Sequence, residues 1–164
     1  MNLYLMRHAI AIDPDENIED NMRPLTDKGR KKLGKIARNL EKLELEFDLI
    51  LCSPYLRARQ TVDIIAHEMG IKHKRIFISE NLTPLGFADK LVEELNTRAG
   101  LENVLIVGHE PFLSQLIGML VVGDASLSID MKNAGLCKLS LEKLIYARCA
   151  TLEWLATPEQ LSAY

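Results

Sequence analysis

The sequence predicts an α/β fold, a single-domain three-layer sandwich in which a mixed, mostly parallel sheet is flanked by helices. Apolar runs of strand length at 3–6, 47–52 and 104–107 each end in polar residues. Each leads toward a stretch whose apolar residues recur at three- and four-residue steps, the mark of an amphipathic helix. After Gly135 the period changes to alternation, as expected of an antiparallel hairpin at a sheet edge. A chain of 164 residues, 48% of them apolar, is long enough to bury one sizeable core. No linker, repeat or low-complexity segment divides it, so residues 1–164 are read as one domain.

Taken in order, the first strand, "LYLM", stops at the cationic pair Arg7 and His8. The first helix is expected over 27–43, with Thr26 as N-cap and Leu33, Ile36, Ala37, Leu40 and Leu43 at three- and four-residue steps. Lys28, Lys31, Lys32 and Lys35 form its solvated face. The second strand runs into "CSPYLRARQT", where Ser53 and Pro54 turn the chain into a helix over 55–69. A short apolar run, "RIFI", precedes "SENLTP", and a weaker helical pattern covers 88–98. The third strand ends in "VGHEP", and Pro111 suits the first position of the helix that follows. "LCKLSL" and "ARCATLEWL" make the closing hairpin, and the last eight residues, "TPEQLSAY", read as a frayed tail.

Charge and cysteine usage exclude several functions. A net charge of −3 gives no reason to expect nucleic acid or an anionic membrane as a partner. The start lacks the pattern of a signal peptide, and the longest apolar stretch, 116–122, is far short of a membrane span, so a cytoplasmic protein is expected. Cys52, Cys137 and Cys149 contain no Cys-x-x-Cys pair and read as buried residues, not as a disulfide framework or zinc site. Four residues separate Cys52 from Arg57 where a cysteine phosphatase loop needs five, and Ala58 stands where its arginine belongs. The acidic run 13–20, "DPDENIED", begins with EF-hand spacing, but Ile18 replaces the required glycine and Pro24 the closing glutamate. It is read as a solvated loop near the pocket mouth, and the basic run 72–75, "KHKR", as a solvated patch.

In open α/β sheets ligands bind beyond the carboxyl ends of the strands. The three strand ends supply Arg7 and His8, then Arg57 about one turn into its helix, then His109 just before a helix start. Gly108 lets backbone pass close to a ligand. Two arginines and two histidines converging in a mildly acidic chain suit a phosphoryl group, whose oxygens guanidinium forks bind bidentately. Taken singly, each has a bland reading: His8 a hydrogen-bonded structural residue, Arg57 a helix-surface cation, His109 a cap.

"LMRHA", "RPLTDKG", "CSPYLRARQT" and "VGHEP" together resemble the successive motifs of the histidine phosphatase superfamily, the phosphoglycerate mutase-like group. Compact length and the "RPLT" element are most similar to its SixA-type phosphohistidine phosphatases. The resemblance implies the phosphoglycerate mutase-like fold. It implies His8 as the nucleophile that becomes phosphorylated, Arg7 and Arg57 as ligands of the phosphoryl oxygens, and His109 as the group completing the pocket. Ala9 departs from the glycine common after the Arg-His pair. The group usually takes its general acid from the segment after the third strand. Glu80 is preferred there over Asp89, with a capping or ion-pairing role as the alternative. Arg23 is read either as a further phosphate contact or as a surface cation. The expected substrate is a phosphohistidine-bearing signalling protein, with inorganic phosphate as product and no metal or cofactor. A small-molecule phosphomonoester phosphatase and a phosphate-binding module without turnover are the alternatives.

Overall fold

The protein is described by a computed structural model covering residues 1–163. Six strands form one sheet: β1 (Asn2–Arg7), β2 (Leu49–Cys52), β3 (Ile76–Ile78), β4 (Asn103–Gly108), β5 (Leu136–Leu141) and β6 (Ala150–Ala156). Their order is β3-β2-β4-β1-β5-β6. The first four are mutually parallel where they pair, and β5 and β6 add an antiparallel edge. The mixed, mostly parallel sheet read from the sequence is therefore observed.

Among the described residues the α-helices are α1 (Asp27–Lys42), α2 (Leu56–Glu68), α3 (Ala88–Asn96), α4 (Phe112–Val122) and α5 (Pro158–Leu161). Side chains alternate across a strand, so each central strand feeds two cores. Leu3, Leu5, Leu51 and Ile106 pack with Leu91 of α3 and Leu113, Leu116 and Ile117 of α4. On the other face Tyr4, Met6, Ile50 and Val107 pack with Leu33, Ile36 and Leu40 of α1, Val62 and Ile65 of α2, and Leu161 of α5. The neighbouring strands β1 and β4 thus send their following helices to opposite faces. That divergence opens a crevice at their carboxyl ends.

Helix starts follow local chemistry. Thr26 caps α1 by accepting from the Gly29 N–H at 3.0 Å. Pro111 is the residue before α4, not its first, and is joined to Glu110 by a cis peptide.

One terminal expectation is corrected. Residues 157–163 are not frayed: Thr157 and Gln160 form a reciprocal capping box around α5, and Pro158 and Leu161 are buried. Asn39 of α1 donates to the Leu161 carbonyl at 2.9 Å, and Lys32 pairs with Glu159, so part of the expected solvated face of α1 is covered. Four residues are too few to show helical periodicity. The last residue, Tyr164, lies outside the described residues.

Candidate active site

The register of β1 on β4 places Arg7 opposite Gly108, and the His8 N–H bonds to the Gly108 carbonyl at 3.0 Å. The two strands therefore release His8 and His109 side by side, with ring centroids 5.1 Å apart. Arg57, in the first turn of α2, reaches the same place, and its Nε–H donates to His8 Nε2 at 3.2 Å. Arg7, His8, Arg23, Arg57 and His109 all line one cavity of about 420 Å³ at the carboxyl end of the sheet. The residues singled out at the three strand ends meet.

Hydrogen bonds fix the tautomer of His8. Its Nδ1 lies 2.8 Å from the Ala9 carbonyl oxygen, which can only accept, so the proton sits on Nδ1. Nε2 is left with its lone pair, facing Arg57. The backbone behind is held too: Asn133 Nδ2 donates to the His8 carbonyl at 3.1 Å, and the Ala9 N–H to Thr61 Oγ1 at 3.1 Å. Thr61 also donates to the Arg57 carbonyl at 2.7 Å, tying the β1 end to α2. Because its N–H is already bonded to Thr61, Ala9 has no backbone donor to offer a ligand.

His109 is oriented by Ser53, whose Oγ lies 2.7 Å from His109 Nε2. Ser53 Oγ accepts from the Tyr55 N–H at 3.3 Å, and its own proton has no other acceptor among the described residues, so it donates to Nε2. The His109 proton then sits on Nδ1, a buried donor with no partner among the described residues; Arg7 Nε is another. Unmet buried donors beside three guanidinium groups mark a place for an anion.

Burial holds His8 down to about 4 despite its bond to Ala9, helped by the charges of Arg57, Arg7 and Arg23. His109 is held down to about 3, again by burial first and then by His8 and Arg57. Both rings are neutral at pH 7. Burial pushes the Cys52 thiol up to about 12, which leaves it inert.

Two expectations change. Glu80 is not at the cavity: Ser79 turns inward, its hydroxyl donating to Glu94 at 2.5 Å, and the next residue therefore faces solvent. Asp89, on the exposed side of α3, is not there either, and Pro84 is what that segment contributes. The acidic run 13–20 is more than a solvated loop. Asp20 accepts from Arg57 Nη1 through its carbonyl at 2.6 Å and from Nη2 through Oδ2 at 3.2 Å, while Oδ1 accepts from Arg23 Nε at 2.8 Å. Burial works to raise the Asp20 carboxyl, but the bond from Arg23 and the charge of Arg57 outweigh it and hold it below the usual range.

Asp20, Ser53, Thr61 and Asn133 were not singled out as site residues from sequence. Ser53 and Thr61 stand inside the "CSPYLRARQT" motif, which is the one signal that points to them. Among the described residues no three of His, Cys, Asp and Glu gather as a metal site requires.

Comparison with known proteins gives a consistent picture. The family model of the histidine phosphatase superfamily (branch 1) matches residues 3–83. An uncharacterised protein of Picosynechococcus sp. is 37% identical over 142 residues, covering 85% of this chain and 84% of that one. The phosphohistidine phosphatase SixA of Escherichia coli is 28% identical over 165 residues, covering 88% of this chain and all of the relative. The structure of the protein histidine phosphatase SixA complexed with tungstate superposes with a TM-score of 0.83 at 25% identity, covering 96% of this chain and 97% of that one. The sheet and its flanking helices are thus those of the phosphoglycerate mutase-like fold.

Proposed function

The chain belongs to branch 1 of the histidine phosphatase superfamily and is a phosphatase of that group, and we propose that its substrate is phosphohistidine on a protein. One observation carries the mechanism: His8 Nε2 is unprotonated, its lone pair fixed in direction by the Nδ1 bond to Ala9 and accepting from Arg57 Nε–H at 3.2 Å, a bond that a phosphoryl group entering between them replaces. In the first step Nε2 attacks phosphorus in line, a P–N bond forms to His8, and the bond to the substrate imidazole breaks. In the second, water attacks the phosphorylated His8, regenerating Nε2 and releasing inorganic phosphate.

Arg7, Arg57 and Arg23 bind the phosphoryl oxygens, and the Nδ1–H of His109 donates where charge grows on them in the transition state. With Glu80 outside the cavity, no carboxylate from that segment is in place as general acid; of the carboxylates that line the cavity, Asp20 is held ionised by Arg23 and Arg57, Glu110 is engaged by Ser114, and Asp13 is exposed at the mouth. An imidazole leaving group, protonated on its far nitrogen, departs without one. This is the chemical reason for preferring phosphohistidine to a sugar or alcohol ester, and likeness to SixA favours the same substrate.

We place the protein in the cytoplasm, where its three free cysteines stay reduced, with a phosphotransfer protein of a signalling relay as partner and residues 1–164 as one catalytic domain. Among the described residues no helix is long and apolar enough to cross a membrane. The test is the ratio of kcat/KM for a phosphohistidine-bearing domain to that for phosphorylated sugars and nucleotides. A ratio well above one is expected. A ratio below one makes the protein a small-molecule phosphatase, and absence of phosphate release from every substrate makes it a binding module.

A further inference from the structure

The cavity has no surplus positive charge. Arg7, Arg23 and Arg57 line it together with Asp13, Asp20 and Glu110, three cations against three anions, and its two histidines are neutral at pH 7. Asp20 is already spent on Arg57 and Arg23, and the Glu110 carboxylate accepts from the Ser114 N–H and hydroxyl at the start of α4. No guanidinium group is therefore left over for an anion beyond one phosphoryl group.

What surrounds that group is acidic on one side. A second depression, of about 320 Å³, shares Asp20 and Arg23 with the cavity and is otherwise walled by Pro14, Asp15, Glu16 and Ile18. Residues 13–20 carry five carboxylates and no lysine or arginine. Among the described residues none of Asp13, Asp15, Glu16 and Glu19 is in an ion pair. The wall is anchored at its base, because Arg23 Nη1 donates to the Ile12 carbonyl at 2.7 Å and the Ile12 N–H to the Pro24 carbonyl at 3.0 Å. Lys32 and Lys132, which line a neighbouring pocket together with Ile10 and Asn133, are each paired, Lys32 with Glu159 and Lys132 with Asp130.

Resting on the phosphatase reading above, we infer that residues 13–20 are a specificity element that admits a phosphoryl group only on a carrier with no second anionic group, and favours a carrier with positive charge beside it. A second phosphate or a carboxylate, as in nucleotides, sugar bisphosphates and phosphoglycerates, meets carboxylates where it would need cations. A histidine side chain flanked by lysine or arginine meets the complementary charge. Discrimination of this kind works by repulsion of the wrong partner as much as by attraction of the right one.

Three esters on one scaffold test it: phenyl phosphate, 4-carboxyphenyl phosphate and 4-(aminomethyl)phenyl phosphate. They are compared with the unaltered protein and with the triple variant Asp13→Asn, Glu16→Gln, Glu19→Gln, all three being exposed positions. Taking the change between proteins cancels differences in leaving-group chemistry. In the variant, kcat/KM for the carboxy ester relative to phenyl phosphate is expected to rise about fivefold at low ionic strength and that for the aminomethyl ester to fall. In the unaltered protein, 0.5 M salt is expected to narrow the same gap, a readout that needs no substitution. Ratios identical in the two proteins and insensitive to salt overturn the inference while leaving the phosphatase reading intact. Failure of the unaltered protein to hydrolyse any ester or a phosphohistidine domain overturns both.

Discussion

His8 uses its two ring nitrogens for different tasks: Nδ1–H anchors the ring to the Ala9 carbonyl and Nε2 faces the arginines. Replacing His8 with Ala should therefore abolish turnover with little change in melting temperature, since the ring sits at a strand end and not in either apolar core. The phosphoenzyme trapped from the unaltered protein should be acid-labile and alkali-stable; phosphate recovered on Ser53 or Cys52 would sink the assignment. Both site histidines also make stability depend on pH. Their folded values, about 4 and about 3, lie below the ordinary 6.5, so the unfolded chain binds more protons between those limits. Stability due to these groups is fully present above pH 6.5 and falls as pH drops toward 4. The melting temperature should decline over that window, and the decline should be shallower in His8→Ala.

At the scale of elements, the site depends on how α1 begins. Gly29 lies so close to the Ile10 backbone that an added Cβ would sit 2.3 Å from the Ile10 carbonyl oxygen, which also accepts from the Thr26 N–H. The Gly29→Ala variant must push α1 from the segment leading to Arg23 and Asp20, at a cost of roughly 1–3 kcal/mol. Denaturant titration should show that loss together with a raised KM, because the displaced segment holds Arg57. The terminal α5 makes an independent prediction. Leu161 is buried against α1, and Leu161→Ala should lower stability by roughly 2–3 kcal/mol, near the lower end for a buried leucine, with kcat/KM unchanged. A frayed tail would show no loss at all.

At the scale of the whole molecule, β1 and β4 lie side by side in the sheet while their helices leave to opposite faces, which places the cavity in the crevice between them. Positive charge there comes from Arg7, Arg23 and Arg57, converging from the end of β1, the β1–α1 connection and α2. Three guanidinium groups supply what a divalent ion supplies in metal-assisted phosphoryl transfer. Activity should therefore be unchanged after EDTA treatment and dialysis. Strict dependence on added Mg²⁺ or Zn²⁺ would assign the acidic residues 13–20 to a metal and overturn the mechanism.

Strands and helices were legible because their signals are local: alternation, three- and four-residue steps, and a cap such as Thr26 depend on residues within a turn or two of each other. Arg7, His8, Arg57 and His109 were legible as a site for a related reason, since each follows a recognisable strand by a few residues and parallel strands gather their carboxyl ends. The Thr157 and Gln160 capping box was equally local, and its four-residue helix was missed because capping alone does not reveal docking. Only the assembled fold decided the rest. Asp20 lies 37 positions from the arginine it holds, and Asn133 lies 125 from the carbonyl it binds. Glu80 was decided by one residue of register after a three-residue edge strand, where Ser79 turned in and Glu80 out. A side chain's direction at such a place is set by which neighbour fits the core, and that depends on packing among elements far apart in the chain.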